Sequence, residues 1–184
     1  MCSRCWVWVI VMLAAGCFHS SSDTNGDAGA DGGSGDTPCT LASLDLKVAT
    51  LSGCSTEAHI DGPRGTAYFA NPVNMKLGPS GIAYVADFDT SYLRRVDTTG
   101  TVTTLFEQQG FSLPFGMLVM PNGYLLVETD DDDTNMHSSN TGTLWLIDPA
   151  SGNGHVLVRD HGRPRGLALA PDGTVYTADY VHHA

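Results

Sequence analysis

Glu128 and the run Asp130-Asp131-Asp132-Asp133 put five carboxylates within six residues. Oxygen-only ligands suit a hard cation, and calcium is the ion such a set would take. The run also reads as a solvated acidic loop between strands, because no turn glycine organises it into a known cation loop, and that plainer form is the expected one. Asp87 and Asp179 each follow an alanine at the end of a strand-like run, and His182 comes three residues after Asp179. These three are candidate ligand contacts, against the plainer readings of structural turns and an exposed imidazole. No His-Glu-x-x-His, Gly-x-Ser-x-Gly elbow, phosphate loop or dinucleotide fingerprint occurs. No catalytic residue is therefore assigned and no cofactor is required, calcium being the one ion with a candidate site.

The thiols carry a second kind of chemistry. Trp6–Ala15 is an uninterrupted apolar run of ten residues, the length of a signal-peptide core. A bilayer span needs roughly 20. Leu13-Ala14-Ala15-Gly16-Cys17 follows and resembles a lipobox, where a signal peptidase cuts before a lipid-modified cysteine. Small residues at Ala15 and Gly16 fit a narrow protease subsite, and the Cys17 thiol would carry the lipid. Ala14 stands where that motif usually has a larger aliphatic residue, with Leu13 one place further out. Cys2 and Cys5 fall in the segment that would be removed. Cys39 and Cys54 remain, and an exported compartment permits them to pair. Such a bridge would contribute roughly 3 kcal/mol if unstrained.

Residues 18–37 read FHSSSDTNGDAGADGGSGDT, with almost nothing apolar. A stretch of this composition cannot bury enough surface to offset its ordering entropy. As Gly/Ser-rich coil it would span about 25 Å and hold a folded domain off a membrane face. The expected organisation is a signal peptide over 1–16, a lipidated Cys17 with a disordered linker over 17–37, and a folded domain over 38–184. The net charge of -11 repels nucleic acid, which is excluded as a partner.

The folded part repeats. Pro72–Asp87, Pro114–Thr129 and Pro164–Asp179 align without a gap, starting 42 and then 50 residues apart. Each copy opens on proline, has a second proline seven places on and a glycine two places later. Apolar positions agree in phase, as at Met75, Met117 and Leu167. A one-residue slip would turn each set to the wrong face, so the agreement predicts a shared strand register. Pro79-Ser80-Gly81, Pro121-Asn122-Gly123 and Pro171-Asp172-Gly173 predict turns in which glycine takes positive φ. The runs after them, 82–86, 124–128 and 174–178, are apolar on both faces, as a strand sandwiched between neighbouring sheets would be. Leu93–Asp97 matches Leu144–Asp148, and Val102–Leu105 matches His155–Val158. Four strands per 42 to 50 residues is the content of a propeller blade.

The sequence resembles the NHL repeat at Val48–Gly53, Asp61-Gly62-Pro63, Phe69–Pro72, Tyr84–Asp87 and Leu93–Asp97, and again at residues 177–183. The resemblance covers about residues 47 to 184. It implies an all-β fold, a partial β-propeller of about two and a half four-stranded blades out of a ring of about six. On that reading the chain stops before the ring closes, and an open edge near Val175–Ala178 is expected to limit solubility. The lipobox and linker place the domain in a bacterial cell envelope, at the outer membrane or cell surface ahead of the inner membrane. The expected function is a lipid-anchored binding or scaffold module for protein, peptide or glycan. The alternative is a calcium-dependent hydrolase or lyase similar to propeller gluconolactonases, for which Glu128, Asn74 and the aspartates would have to converge on one metal.

Overall fold

The computed structural model describes residues 43–44, 48–53, 58–132, 134 and 136–182. Cys17, Cys39, Cys54 and Asp133 lie outside them, so the lipidation site, the proposed disulfide and one carboxylate of the acidic run are not placed. A two-stranded ribbon, β1 (Ser43–Leu44) with β2 (Val48–Ala49), comes first. The first full sheet is β3 (Pro72–Leu77), β4 (Ala83–Asp87), β5 (Tyr92–Val96) and β6 (Val102–Phe106), in that spatial order. The second is β7 (Pro114–Val119), β8 (Leu125–Thr129), β9 (Thr143–Asp148) and β10 (Asn153–Val158), again consecutive and antiparallel. The third holds β11 (Pro164–Leu169) paired with β12 (Val175–Asp179). Among the described residues there is no α-helix.

The first strands of successive sheets lie side by side, β3 against β7 and β7 against β11. Sheets of meandering strands joined through their first strands are propeller blades, here two complete ones and the first half of a third. The described part of the chain is thus all-β, as its repeat predicts. Gly81, Gly123 and Gly173 take φ of 78, 89 and 89°, so all three turns use glycine where a side chain would be strained. The opening prolines face Asp87, Thr129 and Asp179 across the first strand pair. A register irregularity follows each of them, which is why the copies align without a gap.

Alternation along each strand builds two apolar layers. Tyr84, Leu93, Phe106, Phe111, Met117, Leu125, Val127, Trp145 and Ile147 fill the joint between sheets one and two. Phe111 meets both Phe106 and Trp145 edge-on, with Phe106 and Phe111 centroids 4.9 Å apart. Ala83, Val85, Val96 and Val102 point the other way, under Ala67, Leu51 and Phe69. The outer strand β6 does not end in a bare edge. Gly62 and Val102 exchange two backbone hydrogen bonds of 3.0 and 2.8 Å, a partial covering of the kind that keeps sheet edges from associating.

Two expectations change. The fourth strands correspond one residue away from the sequence match, because Val102 pairs with Val96 and Gly154 pairs with the equivalent Ile147. Val102 therefore matches Gly154, not His155. A Cβ at 154 would press on the Phe106 ring of the neighbouring sheet at 2.8 Å, so packing removes the apolar side chain that the match relied on. The run 174–178 was expected to be covered on both faces like β4 and β8. Instead β12 is largely exposed, with Tyr176 at 61%, in line with the open edge expected near Val175–Ala178, because no described strand lies beyond it.

Candidate functional site

The candidate residues gather at the end of the sheets where the first strands begin and the second strands finish. Asp87 is fully buried there. Its carboxylate accepts the Asn71 N–H at 2.8 Å and the Ala70 N–H at 3.1 Å, and Arg94 Nη1 donates to it at 3.2 Å. Arg94 Nη2 donates to Asp61 Oδ1 at 2.5 Å, and Asp61 Oδ2 accepts the Thr104 N–H at 2.7 Å. Asp87 is therefore engaged by structural partners, as a strand-ending turn residue would be. The second sheet fills the same positions with a neutral pair. Thr129 stands for Asp87 and Trp145 for Arg94, and the indole N–H donates to the Thr129 hydroxyl at 3.2 Å.

The acidic run disperses. Asp130 is fully buried and holds two arginines from the segment entering the third sheet. Arg163 Nη2 donates to it at 2.7 Å, and Arg165 binds it through both terminal nitrogens, one at 2.8 Å. Arg165 also lies over the Phe115 ring, 4.2 Å from its centroid. A two-oxygen, three-nitrogen contact of this kind fixes geometry as well as charge. Asp131 accepts from the Ser112 hydroxyl at 2.8 Å and pairs with His137 Nδ1 at 2.5 Å. Asp132 folds back on its own loop, taking the Thr134 hydroxyl and backbone N–H and the Met136 N–H, and these bonds hold its carboxyl below the usual range. The described residues contain no group of three or more His, Cys, Asp or Glu side chains placed to hold one ion.

Glu128 differs from its sequence neighbours. Leu125 and Val127 face the first sheet, so alternation turns Glu128 toward the third. Its side chain is fully buried and neither carboxylate oxygen has a hydrogen-bond partner. Gly116 on β7 makes the room, since a Cβ there would collide with the carboxylate. The nearest basic group is His161 Nε2, 3.9 Å from Oε1 and too far for a hydrogen bond. Burial pushes the Glu128 carboxyl up to about 7, and the nearby Thr177 hydroxyl only softens that shift without reaching bonding geometry.

His161 is held by a short two-way tie. Its N–H donates to the Gly142 carbonyl at 2.8 Å, and the Gly142 N–H donates to the Gly162 carbonyl at 2.6 Å. The long loop of the second sheet thus seats the segment entering the third. Beside it opens a cavity of about 370 Å³ lined by Asn140, Asp160, His161, Thr177, Asp179 and His182. Burial works against the charge of Asp179. The His182 ring and the N–H groups of Val181, His182 and Arg163 outweigh it and hold the carboxyl well below the usual range. Of the rim candidates, Asp179 and His182 therefore come together at this cavity, while Asp87 sits in the first sheet. His161, Arg163 and Arg165 were missed in the sequence because their partners lie about one blade away in the chain.

The sequence matches no protein-family model and none of the curated proteins. Among solved structures it is similar to selenomethionine-substituted virginiamycin B lyase from Staphylococcus aureus, with a TM-score of 0.49 and 13% identity over 75% of this chain and 41% of that one. A catalytically inactive variant of that lyase with quinupristin gives 0.47 and 15%, over 60% and 36%. A protein described as a gluconolactonase gives 0.45 and 14%, over 71% and 46%. The aligned part of the chain spans less than half the length of each. The blade arrangement rests on strand register and sheet order, independently of these likenesses.

Proposed function

We propose that the chain is an envelope-tethered, NHL-type propeller that works as a binding module, taking a protein, peptide or glycan ligand at the rim between the second and third sheets. The observation that carries this reading is the cavity of about 370 Å³ at that rim, where His161, His182, Asn140 and Thr177 offer side chains that can both donate and accept hydrogen bonds. The NHL reading is supported by the meeting of three motif pieces at one buried guanidinium. Arg94 of the following strand donates both to Asp61 of Asp-Gly-Pro and to Asp87 of Val-Ala-Asp. The tether is supported by Ala15-Gly16-Cys17 and the linker after it. Cys39 and Cys54 would brace the start of the domain in the same oxidising compartment.

The ligand site is tested on peptide and glycan arrays with the chain and its His161→Phe variant. Binding weakened about tenfold or more, a change of roughly 1.4 kcal/mol, is expected for the variant. Equal binding would overturn the placement at this rim. The tether is tested by palmitate labelling and membrane fractionation. The wild-type chain is expected to take label and sediment with membranes, and Cys17→Ala to do neither.

A further inference from the structure

The repeat allows the two joints between sheets to be compared position by position. Phe69, Phe111 and His161 each stand three residues before the opening proline of their unit. Ala86, Glu128 and Ala178 occupy the same place near the end of the second strands. In the first joint Phe111 is buried against Phe106 and Trp145, and Ala86 occupies the Glu128 position. In the second joint both positions have become ionisable, and the two side chains are neighbours at 3.9 Å. Filling space needs neither group, and burying a carboxylate is costly unless it is paired. The other buried carboxylates among the described residues, Asp87, Asp130 and Asp131, all have donors. Glu128 has none for either oxygen.

We propose that this joint takes an aliphatic ammonium group, free or as the side chain of a peptide lysine, with Glu128 as its counter-ion. The proposal deepens the reading of the cavity as the ligand site and rests on it. An ammonium brings three donors, and the joint gathers acceptors without one: the Glu128 carboxylate, the Thr177 hydroxyl and a His161 ring nitrogen. Asp160 and Asp179 add negative charge to the lining, and no lysine or arginine lines it among the described residues. Glu128 and His161 alone are too few ligands for a resident divalent ion. Burial places the Glu128 carboxyl at about 7, so ammonium binding would displace its proton and strengthen as pH rises through that value. Glu128 does not line the cavity itself but lies buried behind His161 and Thr177, which do. The titratable groups on the lining are His161 and Asp160 before β11, Asp179 at the end of β12 and His182 after it, and β7 presents Gly116 to the Glu128 carboxylate.

The test is calorimetric titration of the full chain at about 0.15 M salt, which screens unspecific attraction. The probes are n-butylammonium, N-acetyl-lysine methylamide and, as neutral control, n-butanol. Both cations, or one of them, are expected to bind while butanol does not, and Glu128→Gln, a near-isosteric change, is expected to weaken binding about tenfold or more. Binding of the free amine alone assigns a small-molecule source, and binding of the blocked lysine assigns a peptide. Unchanged affinity in Glu128→Gln, with its fold verified by circular dichroism, overturns the proposal. No cation binding, with the His161→Phe effect on the arrays intact, overturns the ammonium and leaves the binding module standing. Loss of both results removes both readings.

Discussion

Replacing Arg94 by leucine is expected to lower the unfolding free energy by about 3–5 kcal/mol, the usual cost of removing one partner from a buried ion pair. The arginine side chain is fully buried and bonds Asp87, Asp61 and the Tyr68 carbonyl at 3.2, 2.5 and 3.4 Å. Its guanidinium also stands 5.4 Å from the centre of the Phe69 ring. Leucine would fill much of the volume but leave the Asp87 carboxylate buried with only the backbone donors of Ala70 and Asn71. The second sheet holds a ready alternative for these positions in Thr129 and Trp145. The double change Asp87→Thr with Arg94→Trp is therefore expected to recover most of the loss, a coupling that a double-mutant cycle measures directly. Urea midpoints of the two singles and the double decide the matter. An Arg94→Leu variant within about 1 kcal/mol of the wild-type chain would show that the network is not holding the first blade together.

The second large effect concerns pH. The Glu128 carboxyl sits at about 7 in the folded chain against an ordinary 4.5. Between those values the folded state holds a proton that the unfolded state has lost. The stability that this proton represents is complete below about pH 4.5 and is lost as pH rises through about 7, a swing on the order of 3 kcal/mol. Glu128→Gln cannot ionise. It is expected to match the wild-type chain near pH 4 and to be the more stable of the two at pH 8 by up to ~3 kcal/mol. Denaturation at both pH values checks this. An identical difference at the two would mean that folding does not shift the carboxyl from its ordinary value.

Much of the scaffold was legible from local chemistry. Proline and glycine at fixed offsets specify turns, so Gly81, Gly123 and Gly173 could be placed before any coordinates, and the strands between them followed in phase. Contacts across a joint were not legible in the same way. Asp130 meets Arg163 and Arg165 from 33 and 35 residues away, and no local pattern marks that pairing. Adjacency was itself misleading. Glu128 and Asp130–Asp132 read as one acidic cluster, yet strand alternation and the loop after β8 send the three aspartates to different partners and leave Glu128 with none. A signal for His161 did exist in the repeat alignment, as the one histidine where the other copies have phenylalanine. It pointed to a change of environment, and only the packed sheets show that Glu128 shares it.

The contrast between an aromatic joint and an ionic one has a consequence for how the protein meets salinity. Strongly hydrated anions such as sulfate tighten hydrophobic contacts, while dissolved ions of any sort weaken attraction between charges that water can reach. Arg163 and Arg165 remain partly open to solvent, whereas Phe111 and Trp145 are almost wholly enclosed. A brine would therefore stiffen one hinge line and relax the next, and the blade bearing β11 and β12 would gain freedom under conditions that lock its neighbours.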